Sequence, residues 1–143
     1  RRPDSQLVFD IDLAKSQNND NPVFYIQYAH ARICKVLEEW GGDISTLKLD
    51  TSSVLNSQAE LKLIKSIGIY PEILLQATDE TAPHQIANFL KDCAAELHSY
   101  YNDSKFLVKD DKLKIARLCL INSAKHVLKN GLDLLGIEAP QRM

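Results

Sequence analysis

The 143-residue sequence holds little of what builds a stapled, metal-bound or membrane-spanning protein. Its three cysteines, Cys34, Cys93 and Cys119, are odd in number, far apart and free of any Cys-x-x-Cys pairing. That spacing excludes a disulfide framework and argues against a zinc site, so each reads as a buried free thiol of a reducing compartment. Four scattered histidines offer no metal-ligand spacing. No apolar run approaches the roughly 20 residues a bilayer-spanning helix needs, and no signal-peptide pattern opens the chain. A glycine-rich phosphate loop, a Gly-x-Ser-x-Gly elbow and a His-Glu-x-x-His pair are all missing, so no catalytic constellation is expected. Asp10 and Asp12 lie two apart without a companion ligand and read as solvated carboxylates. Position 1 is Arg1 rather than Met, from which we expect a fragment or a processed product.

What is present suits one domain. The chain is 45% hydrophobic, enough for a core at this length. The formal charge of −2 gives no global attraction to nucleic acid. Locally the balance differs, because Asp103 to Asn130 carries seven basic residues (Lys105, Lys109, Lys112, Lys114, Arg117, Lys125, Lys129) against three acids. This is either a solvated helix face or a polarised surface.

Periodicity predicts an all-α bundle of about five helices behind a short extended N-terminal segment, "SQLVFDIDL" at 5–13, where apolar and polar residues alternate. A polar loop at 15–21 leads to Asn21 as N-cap and Pro22 at the first helical position, with a helix to about Trp40 stopped by Gly41-Gly42. After an irregular stretch at 43–56, helices are expected at about 57–67 closed by Gly68, from Pro71 to near Glu80, and from Pro83 to Tyr101. Asp110 caps the last one, which Gly131 is expected to end, with "LDLLGI" as one further turn.

The first long helix raises a question. "NPVFYIQYAHARI" at 21–33 carries two tyrosines, a glutamine, a histidine and an arginine beside a core stripe of Ile26, Ala29, Ile33, Val36, Leu37 and Trp40. Tyr25, Tyr28, Arg32 and Lys35 share the neighbouring flank. Rings interleaved with cations suit single-stranded nucleic acid, in which bases stack on rings and cations meet phosphates. Equally, the tyrosines can seal the rim of the core with their hydroxyls in water. Tyr101, four after Leu97, admits the same two readings. Arg117 falls inside an apolar stripe and needs partners, so we expect it to organise a neighbouring loop by hydrogen bonds.

The segments "SQLVFDIDLAKSQNNDNPVFYIQYAHARI" and "ARLCLINSAKHVLKNGLDLLGIEAPQRM" together resemble the C-terminal part of bacterial arginyl-tRNA synthetases, over essentially the whole chain. The resemblance implies the all-α anticodon-binding domain of this class I family, named for an Asp-Ala-Leu-Arg signature. Neither His-Ile-Gly-His nor Lys-Met-Ser-Lys-Ser, the family's ATP signatures, is present. The chain is therefore expected to begin after the second, with residues 1–20 as connector from an absent catalytic domain and 21–143 as the helical domain. The parent would be an arginine-tRNA ligase using ATP and Mg2+, whereas this piece would hold no cofactor and carry no catalytic residue. By position, the resemblance places anticodon contacts on Tyr25, Tyr28, Tyr101 and the thioether and carboxylate of Met143. Arg32, Lys35, Lys105, Lys109, Lys112 and Arg142 would support them or meet the RNA backbone. Phe24 stands where many relatives have tyrosine, and the name signature reads "KIAR" at 114–117, keeping only Arg117. Expected partners are arginine tRNA and the catalytic domain of the same chain, in a cytoplasmic monomer with no membrane or DNA. Two alternatives remain open: the anticodon domain of another class I synthetase, or a helical protein-interaction module.

Overall fold

The computed structural model describes residues 10–47 and 54–143, and among them every regular element is helical. A short α1 spans Ile11–Lys15. It corrects the extended reading of 5–13, of which residues 5–9 lie outside the described ones. Asp10 is an N-cap whose carboxylate accepts from the Leu13 N–H at 2.9 Å, so residues 11–13 turn helical despite their alternation. Asn21 then caps α2 (Pro22–Trp40), accepting from Val23 and Phe24 N–H. Its amide also donates to the Ala14 and Ser16 carbonyls, tying α1 to the start of α2. Gly41 ends α2 in the left-handed region, at φ 65°.

A 3-10 turn covers Ile44–Thr46. Helix α3 (Gln58–Gly68) opens with a reciprocal capping box between Ser57 and Glu60. Gly68 does not close it as expected, since the helix includes Gly68 and α4 (Tyr70–Asp79) follows after Ile69 alone. The break is owed to Pro71, which has no N–H to return to the preceding turn. Helix α5 (His84–Asp103) packs on α2, α3, α4 and α6, and its Leu90, Cys93, Ala94, Leu97 and Tyr100 form the axis of the core.

Helix α6 (Asp111–Leu134) is capped by Asp110 and runs through Gly131 rather than ending there. A Cβ at 131 would stand 2.6 Å from a methyl of fully buried Leu90, so this glycine serves close approach of α6 to α5. The helix ends instead at a Schellman turn. Gly136, at φ 71°, donates to Asp133 O, and Ile137 donates to Leu132 O at 2.9 Å. That reversal sends residues 137–143 back across α2.

Candidate nucleic-acid interface

Two helices meet where the sequence concentrates its rings. Tyr25, Tyr28 and Arg32 recur at spacings of three and four on α2, so they lie along one side. His98, Tyr101 and Asn102 do the same on the last turns of α5. The Arg32 guanidinium sits over both phenol rings, 4.8 Å from the Tyr28 centroid and 4.4 Å from that of Tyr101. Each such contact is worth about 0.5–2 kcal/mol. Its Nη1 donates to His98 Nδ1 at 3.1 Å and reaches Asn102 Oδ1 at 3.5 Å. No carboxylate pairs with Arg32 among the described residues.

His98 fixes the tautomer of this junction. Its Nε2–H donates to the Tyr25 carbonyl at 3.2 Å, which leaves Nδ1 to accept from Arg32. Burial lowers the His98 pKa, with the Arg32 charge acting in the same direction against the Tyr25 hydrogen bond, so the imidazole is neutral at pH 7. The Tyr25 and Tyr28 rings lie 4.5 and 5.6 Å from it.

The returning tail completes the arrangement. Gln27 Nε2 donates to the Glu138 carbonyl at 2.7 Å, and His30 Nδ1 donates to the Pro140 carbonyl at 2.9 Å. His30 is 3% exposed, and burial lowers its pKa in spite of that bond, which keeps it neutral. Arg142 pairs with Glu38 on the open surface. Between α2, the end of α5 and the tail lies a half-open cleft of about 570 Å³, lined by Tyr28, Arg32, Lys35, Tyr101, Arg142 and Met143 among others.

Six of the residues singled out from sequence therefore share one cleft. Tyr25 is not in its lining: it faces a smaller hollow with Asn19, Asp20 and Lys91. Lys105 borders an adjoining hollow on the other side of Tyr101. Lys109 and Lys112 are exposed around the start of α6 and line none of these hollows. Sequence alone marked Gln27 and His30 as polar tips without assigning them a role, and did not single out His98 or Asn102. Their one local signal was polarity beside an apolar stripe, since their partners are remote in sequence.

Arg117, half-buried, finds the partners it was expected to need. Its Nε donates to Glu60 Oε1 at 2.8 Å, and its Nη1 to the Lys105 carbonyl at 2.6 Å, holding the loop after α5. Burial works to raise the Glu60 pKa, but hydrogen bonds from Ser57 and Arg117 prevail and hold it below the usual value. The Tyr100 hydroxyl donates to the same carboxylate. Phe106, on the anchored loop, packs against the Tyr101 ring at 5.6 Å. Among the described residues no group of three His, Cys, Asp or Glu is placed to hold a metal ion.

Comparison with known proteins yields three likenesses. A family model described as the DALR anticodon binding domain matches residues 26–143. The arginine–tRNA ligase of Nitrosomonas eutropha is 52% identical over 143 residues, all of this chain and 24% of that protein. That of Aromatoleum aromaticum is 50% identical over the same span. The solved structure of Thermus thermophilus arginyl-tRNA synthetase superposes with a TM-score of 0.84 at 33% identity, covering 99% of this chain and 24% of that one. The chain thus spans about a quarter of the length of the curated relatives it matches.

Proposed function

From the premise that this chain belongs to the DALR anticodon binding domain family, we propose that it grips the anticodon loop of arginine tRNA on behalf of an arginine-tRNA ligase. The observation that carries this is the cleft, in which two tyrosine rings flank an arginine that no carboxylate among the described residues neutralises. Bases leaving the loop stack would lie against Tyr28 and Tyr101, at roughly 1–3 kcal/mol per base. Arg32 keeps Nε and Nη2 free of hydrogen-bond partners among the described residues, and these donors suit the pairing edge of a base or a phosphate. Lys35 and Arg142 at the rim would add a salt-dependent phosphate term, with Lys105, Lys109 and Lys112 further out. Met143 would close the cleft with an adaptable thioether. Tyr25, outside the cleft lining, would orient His98 and flank the loop.

Residues 1–20 would connect to a catalytic domain, and the ligation itself, with its ATP and Mg2+, would belong to that part of a cytoplasmic parent. No step of that reaction is assigned to residues of this chain.

Filter-retention or NMR titration of the chain with arginine tRNA, at low and moderate salt, tests the reading. A transcript with its middle anticodon cytosine replaced and the Tyr101→Ala variant are each expected to cost roughly 1–3 kcal/mol, without adding. Equal binding to both transcripts, untouched by Tyr101→Ala, would leave a nonspecific basic surface and sink the proposal.

A further inference from the structure

We propose that Gln27 and His30 are positioning residues that latch the tail after α6 onto α2, so that Arg142 and Met143 form one wall of the cleft. This rests on the anticodon-loop reading above and extends it to residues outside the cleft lining. The Schellman turn at Gly136 sets the direction of the tail, but residues beyond Ile137 have no regular structure to hold them. Two backbone carbonyls, of Glu138 and Pro140, are instead taken up by side chains one helical turn apart on α2. Pro140 has no N–H with which to join a competing backbone pattern. His30 makes its bond from inside the protein, where an unpaired donor would be costly, so the bond is strongly favoured. Ile137 and Ala139, on either side of Glu138 in sequence, pack against the core. Arg142 then reaches Glu38 and Met143 reaches the cleft, beside Tyr28 and Tyr101. One face of α2 therefore presents rings and its neighbour fastens the opposing wall, which accounts for the polar tips in "YIQYAHAR".

Met143 is the one methionine of the sequence, so a carbon-13 methyl-methionine label gives a single signal that reports the tail directly. In the unaltered 143-residue chain that signal is expected away from its random-coil position, with cross-relaxation to cleft protons. Gln27→Ala and His30→Phe are each expected to move it toward random coil and to weaken arginine tRNA binding by roughly tenfold. His30→Asn, whose amide nitrogen falls near the lost Nδ1, is expected to restore both. In a variant lacking Met143, Gln27→Ala should cost appreciably less affinity than in the intact chain. A methyl signal unmoved by Gln27→Ala would overturn the latch, and this half-exposed position keeps the test independent of folding. A released signal with unchanged affinity would overturn its role in binding. Failure of the anticodon-loop reading is seen separately, as loss of dependence on the middle anticodon cytosine in the unaltered chain, and the methyl signal then still decides the latch.

Discussion

Arg117 and Arg32 are both drawn into helix junctions, yet their surroundings differ in kind. At Arg117 the charge meets a carboxylate that is 1% exposed, and a further bond goes to a backbone carbonyl. At Arg32 the partners are two phenol faces, a neutral imidazole and an amide. The first site is electrically closed and holds the fold. The second has its geometry fixed by neutral groups and meets no carboxylate among the described residues, which is the condition for receiving an anion from outside. Under the proposed reading, a cation held by rings rather than by a carboxylate is the marker that separates the RNA-binding site from the structural one.

The largest expected effect breaks the closed site. Arg117→Met strands the Glu60 carboxylate in the core and should cost about 3–5 kcal/mol of stability in a denaturant titration. The double variant with Glu60→Leu should lose less than the single one, and a larger loss would contradict the paired-charge account. Next, Arg32→Gln should leave stability within about 1 kcal/mol of the parent while weakening arginine tRNA binding by about 1–3 kcal/mol. The opposite pattern, unfolding without an RNA effect, would make Arg32 a structural residue like Arg117.

Acid separates the two sites by pH. His30 and His98 are held below the ordinary 6.5, so near and below that value the unfolded chain takes up more protons than the folded one. Their contribution is fully present above about pH 6.5 and is lost as pH falls through the depressed folded values. Glu60, lowered from 4.5, likewise loses its contribution below that value. Melting temperatures should accordingly fall first in the histidine window and again in the carboxylate window. His98→Asn should flatten the first part, and an unaltered profile would refute the neutral-imidazole assignment. Smallest of all, Arg142→Ala removes an exposed pair and should not move the melting temperature measurably, while reducing the salt slope of RNA binding by about one.

The α2 stripe, the capping of α2 and α6, and the need of Arg117 for partners were all readable locally, because each depends on spacings of three to four residues. The family resemblance supplied Tyr28, Tyr101 and Met143, which the structure brings to one cleft. Local reading failed where a residue answers to something distant. Gly131 carries the composition of a helix stop and instead makes room for Leu90. Residues 11–13 alternate like a strand, but the Asp10 cap decides their conformation. His98 is unremarkable on its own helix and Gln27 stands out only as a polar tip, and their partners alone reveal what they do.

The tail latch also has a kinetic side. Its two hydrogen bonds join residues 111 and 110 positions apart, whereas the contact between α2 and the end of α5 through His98 spans 73 and 66. Closing the longer loop costs only slightly more chain entropy, but it rewards nothing until α6 has already packed against α2. The cleft should therefore be the last part of the molecule to assemble and the first to open. Substitutions at Gln27 should accelerate unfolding while leaving the folding rate nearly unchanged.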